Sequence, residues 1–447
     1  MKRILLIGGY GYQDLGDEAQ LTAVIENLQH FIPDAHLTIL TDNLENTKKH
    51  QKDDLNIDFS LKYCMNSFSF IRQKNKTSSN ENKKKSSDAT SIFSNYLCSI
   101  ILALKFLILI LNAQLLKKNK RTFFLNYTLL KFLKTLKKSD MLFCVGGGTL
   151  TSVWRSELYH KSIIIILCRI FEKPIILSGQ TIGPFYGFFD RILARYSINQ
   201  VNLITLRERF STIILKNLGV TKPIIRITAD DSITLASESY QRFEYIIKRE
   251  GIDLNHPLIG INVIGLRYLQ KNQTKIEKVK IVLAKVADKL IDEHDARVLF
   301  VPIQYGVDGD GSPAIDVLQL MCNKNKAFVL SKMYDAKQIK CIIDHLDFVI
   351  GFRYHFNVFA LTSGVPAIGI YIDDYYKIKI NGIFDLFGQL NYSINVENVN
   401  YDLLMTLIND VQLKKSNIYF SAIDKTKILK QRSLTSIRFA KKLFNKN

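Results

Sequence analysis

Two doubly wound α/β domains, each a parallel sheet covered by helices, are what this sequence predicts. Three observations lead there. Apolar runs of strand length alternate along the chain with stretches of helical periodicity, the pattern of βαβ units. Several of the apolar runs end directly in glycine-rich or polar loops. The chain has 447 residues, more than a single core organises, and the alternation breaks and restarts near residues 238–255.

In the first half, Arg3–Ile7 reads as a strand and Gly8–Gly16 as a glycine-rich turn. Asp17 opens a helix with Leu21, Ile25 and Leu28 on one face, and His36–Leu40 is the next strand. Met141–Val145 is a buried strand running into Gly146-Gly147-Gly148. Ile163–Ile170 reads as helix, Pro174–Leu177 as strand and Ile204–Leu206 as a short strand before Arg207. Ser211–Asn217 is a helix closed by Gly219, and Ile224–Thr228 a strand leading to Asp230. The second series has strands at Leu258–Val263, Val298–Val301, Phe348–Ile350 and Ala367–Tyr371, with helices at Lys278–Glu293 and Asn357–Ser363 and a Gly/Asp loop at Gly306–Gly311. The domains so defined are 1–240 and 256–424. A basic helix, 425–447, follows and is expected to fold back on the first lobe.

Composition narrows the class. Hydrophobic residues at 47% and charged ones at 23% describe a folded globular protein. Six cysteines are scattered without a CxxC pair, so neither a zinc cage nor a disulfide framework is signalled, and no other metal-ligand cluster appears. Cys144 and Cys168 read as buried thiols of a reducing compartment. Lys2 and Arg3 precede only four apolar residues, too few for a secretory signal, so a cytoplasmic body is expected.

The formal charge of +20 is uneven. Between Ser67 and Lys138, 15 Lys and Arg stand against Glu81 and Asp88, a net +13 that leaves +7 for the rest. This insert, 66–138, interrupts the first domain and contains the apolar run Leu97–Leu116. Cations beside an apolar segment suit an anionic membrane surface better than a nucleic acid. Lys105 near the middle of the run favours an interfacial helix or a partly inserted hairpin over a span, with peripheral attachment to the inner face of the membrane. A helical hairpin covering the first lobe is the alternative.

Five segments carry candidate chemistry. Gly9, Tyr10, Gly11 and Asp17 belong to the first strand-to-helix turn, where bare backbone and a helix start favour an anion. A plain turn with Asp17 as cap explains them equally. Gly147 and Gly148 follow a strand, as does the Ser178–Pro184 loop with Gln180, and ligands bind at such ends. Arg207 can hold a carboxylate or phosphate with a two-pronged grip, or simply pair with Glu208. Arg353 and His355, two residues apart after an apolar strand, combine anion binding with proton transfer.

In order and spacing these pieces resemble the polysaccharide pyruvyl transferase family. The motifs are GGYGYQDLGDEA, DMLFCVGGGTL, SGQTIGPF, TLRERFS, TADDSITL and DFVIGFRYHFNVFALTSGVPAIGIYIDDYYKIK. The resemblance covers nearly the whole chain outside the insert. It implies a GT-B-like fold with the site between the lobes. Phosphoenolpyruvate is then the donor and co-substrate, with no separate cofactor. A glycan or lipid-linked oligosaccharide is the acceptor, and the product is a ketal. It makes His355 the general acid, gives Arg353 and Arg207 to the donor, and adds Asp230 and Lys377 to the cleft. Four positions depart from the family pattern: Asp14 replaces asparagine, Tyr354 and Phe356 replace leucine and alanine, and Asp231 replaces proline. They bear on the acceptor more than on the donor. A nucleotide-sugar glycosyltransferase could share the fold, and a silent scaffold would need neither Arg353 nor His355.

Overall fold

The computed structural model describes residues 2–51, 55–60, 64, 104–306 and 309–445, with backbone only at 266–272. Strands β1 (Lys2–Ile7), β2 (Ala35–Thr41), β3 (Asn56–Phe59), β4 (Met141–Cys144), β5 (Gly147–Leu150), β6 (Ile175–Ile182), β7 (Leu203–Leu206) and β8 (Ile224–Ile227) form one sheet. Its order is β3-β2-β1-β4-β6-β7-β8, with β5 paired to β6. The second sheet contains β9 (Leu258–Asn262), β10 (Arg297–Phe300), β11 (Ala327–Val329), β12 (Phe348–Gly351), β13 (Ala367–Tyr371) and β14 (Ser393–Asn395), ordered β11-β10-β9-β12-β13-β14. The pairings within both sheets are parallel, including β1 with β4, where Ile4 faces Met141 and Ile7 faces Cys144. Helices cover both faces, which is why the strands are almost continuously apolar: Ile4, Leu5, Leu6, Met141, Leu142 and Phe143 are all buried. This is the expected GT-B-like pair of Rossmann-type domains.

Strand order reverses between β1 and β4 in the first sheet and between β9 and β12 in the second. Such switch points open crevices beyond the strand ends, where ligands bind. The two crevices face each other across a join made partly of main chain. Leu15 N–H donates to Ile303 C=O at 3.0 Å, and Tyr305 N–H to Gln13 C=O at 3.0 Å.

Several elements differ from the sequence expectation. The first helix is Leu15–Phe31, and its cap is Asp14, which accepts from the N–H groups of Gly16 and Asp17 at 2.9 and 3.4 Å. Asp17 therefore stands in the first turn. The glycine run after β4 is partly strand β5, and the polar SGQT stretch continues β6. The helix read at Ile163–Ile170 starts at Arg155, and the one read at Lys278–Glu293 starts at Leu266. The linker region holds a helix, Tyr240–Arg249, whose Phe243, Ile246 and Ile247 are buried.

The basic C-terminal stretch is two helices, Lys415–Ser433 and Thr435–Phe444. The second lies on the first lobe, with Ser436 Oγ 2.7 Å from Ser178 Oγ. Within the insert, residues 104–117 and Tyr127–Lys138 are helical, and the remainder, 66–103, including the start of the apolar run at Leu97, lies outside the described residues. Among the described residues no helix is long and apolar enough to cross a membrane.

Candidate active site

A cavity of about 600 Å³ occupies the cleft where the two crevices meet. Gly9, Asp14, Asp17, Gly148 and Arg207 line it from the first lobe, and Arg353, Tyr354, His355, Tyr375 and Lys379 from the second.

The second lobe's contribution begins at β12. The strand ends at Gly351, and the helix Tyr354–Thr362 starts three residues later, so His355 sits in its first turn. Asn262, at the end of β9, accepts the N–H of Arg353 at 2.9 Å and so fixes the turn. The Arg353 guanidinium grips Asp310 with two prongs: Nε lies 3.0 and 3.1 Å from the carboxylate oxygens and Nη2 lies 2.8 Å from Oδ1. That pair is buried, so the carboxylate aims the guanidinium as well as neutralising it.

The His355 ring lies against the first lobe. A Cβ built on Gly16 would stand 1.6 Å from His355 Nδ1, so this position has room only for glycine. His355 Nε2 is buried without a hydrogen bond, 3.7 Å from Asp230 Oδ2. Asp230 follows β8 and sits behind the cavity, with Oδ2 receiving Gln20 Nε2 at 2.6 Å and Arg207 Nη1 at 2.7 Å. Burial alone would raise its carboxyl, but His355, Arg207 and Ser232 overcome this and hold it well below the usual range.

Arg207 is 1% exposed. Its Nε donates to Thr181 Oγ1 at 2.8 Å, and its guanidinium stacks 4.1 Å from the Tyr354 ring centre. It does not depend on Glu208, whose carboxylate instead caps the next helix by accepting Ser211 N–H at 2.9 Å. Of the two readings of Arg207, the cavity-facing one describes its position.

Lys379 was not singled out by sequence. It lies on the helix Asp374–Leu386, its Nζ 4.9–5.5 Å from the ring centres of Tyr354, Tyr375 and Tyr376. Burial, with Arg207 nearby, pulls its ammonium down to about 8 against the attraction of Asp17 and Asp14. Lys377, the lysine expected in the cleft, is exposed on the same helix and outside the lining. Residues two apart on a helix point in different directions, whereas 379 is four from Tyr375 and three from Tyr376. That phase was available in the sequence.

Asp17 faces the cavity opposite these cations. Burial and the neighbouring Asp14 raise its carboxyl to about 6, partly offset by His355, Lys379 and Lys161. A Cβ on Gly9 would meet Asp17 Oδ2 at 2.5 Å, so that glycine makes space for the carboxylate.

The remaining sequence candidates lie outside the lining. Tyr10 is buried in the first lobe, its hydroxyl donating to Leu6 C=O at 3.0 Å. Gly11 donates its N–H to Glu18 at 2.8 Å. Gly147, at φ 146°, belongs to β5. Gln180 is buried within β6 and donates to Val145 C=O at 2.9 Å. Among the described residues no three His, Cys, Asp or Glu side chains gather as metal ligands. The arrangement can hold a small, densely charged anion, give it a proton from one wall and accept a proton at the other.

Comparison with known proteins bears on the family and the fold. The family model described as polysaccharide pyruvyl transferase matches residues 14–374. The amylovoran biosynthesis protein AmsJ of Erwinia amylovora is 21% identical over 422 residues, 92% of either chain. Among solved structures, Anabaena Alr3699/HepE in complex with UDP-glucose aligns over both full lengths with TM-score 0.55 and 10% identity. The S. aureus MnaA–UDP co-structure aligns over all of this chain and 97% of its own, with TM-score 0.57 and 10% identity. At that identity the two structures speak for the shared two-domain fold alone.

Proposed function

The chain belongs to the polysaccharide pyruvyl transferase family, and from that premise we propose that it moves the pyruvyl group of phosphoenolpyruvate onto two hydroxyls of one sugar, forming a ketal in a cell-surface polysaccharide or its lipid-linked precursor. The observation that carries the reading is the convergence of Arg207, Arg353, His355 and Lys379 on one cavity. The donor bears a carboxylate and a phosphate on three carbons, and a compact cluster of cations matches that charge density.

The chemistry follows from the same groups. His355 protonates the donor's methylene carbon, and the adjacent carbon becomes electrophilic. A sugar hydroxyl adds there, the bond from that carbon to the phosphate oxygen breaks, and the second hydroxyl takes its place. Of the two hydroxyl protons, one balances the new methyl group and the other leaves with phosphate. Asp17, on the opposite wall, accepts the proton of an attacking hydroxyl. Arg207, Arg353 and Lys379 stabilise the departing phosphate and the carboxylate, and the buried Asp230 lies behind His355.

The test is phosphate release from phosphoenolpyruvate by purified protein offered candidate lipid-linked glycans. Release that depends on glycan, with a pyruvylated product by mass, is the expected result. Turnover of nucleotide sugars alone would make the protein a glycosyltransferase instead. No turnover with any donor would leave a scaffold.

A further inference from the structure

One layer of the first lobe carries an outer surface that the site chemistry does not use. Residues 104–117 and the helices Tyr127–Lys138, Arg155–Ile170, Phe188–Ile198 and Phe210–Leu218 share a single core against the same face of the first sheet. Their outward sides therefore make one continuous face. Much of it is apolar. Leu104, Leu107 and Leu111 form an exposed ridge at helical spacing. Phe124 and Tyr127 are 78% and 80% exposed, and Phe188 and Phe189 are each 72% exposed. Side chains of this size seldom stand together in water without a partner.

The charge on this face is mainly positive, with Glu157 at its edge and Glu172 paired to Lys117 at 2.7 Å as exceptions. Residues 104–138 contain nine Lys and Arg and no Asp or Glu. The helix Phe188–Ile198 exposes Arg191 and Arg195 beside Ile192 and Tyr196, and its one acid, Asp190, is buried and held by Arg155 at 2.8 Å. Aromatic and aliphatic side chains interleaved with arginine and lysine on a helical face are the composition of a surface that lies in a lipid interface.

The same face reaches the cavity's mouth through the start of the helix Arg155–Ile170. Arg155, Ser156 and Glu157 line the cavity. Arg155 reaches Asp190 on one side, and Tyr186 N–H donates to Ser152 Oγ at 3.0 Å. On the other side His160, one turn beyond Ser156, meets the Phe106 ring edge-on with centres 6.3 Å apart.

We propose that this helical face rests on an anionic lipid bilayer and holds the cavity's mouth at the level of the headgroups. A lipid-linked acceptor would reach the site from that level without leaving the membrane. The inference uses none of the donor chemistry and stands whether or not that reading does.

The test is flotation of the full chain with phosphatidylcholine vesicles, with and without phosphatidylglycerol. Binding is expected only with phosphatidylglycerol and should weaken as salt rises. It should fall at least tenfold in the double variant Phe188→Ser/Phe189→Ser and comparably in Arg191→Glu/Arg195→Glu. Phe420→Ser, at an exposed aromatic residue of the helix Lys415–Ser433, should bind as the unmodified protein does. Absence of binding to phosphatidylglycerol vesicles would overturn the proposal, and so would equal binding by all variants. A dimer in solution that Phe188→Ser/Phe189→Ser dissociates would assign the face to a second copy of the chain, and would also overturn it.

Discussion

The two walls of the cavity differ in chemistry although both are built at the switch point of a parallel sheet. The second lobe presents Arg353, His355 and Lys379 and, among the described residues, no carboxylate on the lining. Its nearby acid, Asp310, is spent on aiming Arg353. The first lobe presents Asp14, Asp17 and Glu157 together with Arg155 and Arg207. One wall can give a proton and hold an anion, while the other can take a proton. Neither crevice alone has both abilities, and the cavity is complete only with both lobes.

Removing the proton donor breaks this division most directly. His355→Ala is expected to lower turnover by about 10²–10⁴-fold, measured as phosphate release, while the donor's dissociation constant changes little. Near-normal turnover in the folded variant would move the acid elsewhere.

On the opposite wall, Asp17→Asn should cost roughly 10–100-fold in turnover. Because the Asp17 carboxyl is raised to about 6, its basic form is lost as pH falls through that value. The unmodified enzyme should therefore slow on the acid side of about 6, and the variant should lack that limb. A limb that persists in Asp17→Asn belongs to another group.

Donor affinity separates the cations. Arg207→Lys and Arg353→Lys keep charge but lose the planar fork, and each should weaken phosphoenolpyruvate binding by roughly tenfold in a calorimetric titration. Lys379→Met should weaken it to a similar degree, whereas Lys377→Met should leave it unchanged. The reverse result for the two lysines would reinstate the residue that the motif suggested.

The smallest effect concerns stability. Burial raises the Glu18 carboxyl to about 8 despite the N–H of Gly11, and raises Asp231 to about 7 despite Ser178. A carboxyl raised on folding stabilises fully below its unfolded value, and that contribution is lost as pH rises through the folded value. The melting temperature should thus fall between about pH 5 and 8.5. Glu18→Gln should flatten the upper part of that slope, and an unchanged slope would reassign it.

Much of the architecture was legible because parallel strands covered on both faces are plain apolar runs. β1, β4 and β13 needed nothing beyond hydropathy. Gln180 shows where that reading fails. Ser178–Ile182 looks like a polar turn, yet it is buried strand, because Ser178 donates to Asp231 at 2.6 Å and Gly179 N–H donates to Thr205 at 2.8 Å. Partners that arrive from other strands are invisible in a local pattern. The site divides the same way. Arg353 and His355 stood out because both follow one strand. Asp310, which sits behind Arg353, and Lys379, on the lining, come from separate loops and helices, and only the phase of the Asp374–Leu386 helix hinted at the second.

The contact between Gly16 and His355 binds the histories of two distant positions. With the ring present, any side chain at 16 collides with the imidazole of His355, so selection for the imidazole is also selection for the glycine. The converse holds as well. A chain that lost the ring would release position 16 to drift, and alanine there would become harmless once His355 was alanine too. Substitution at one of these sites is therefore a record of what happened at the other.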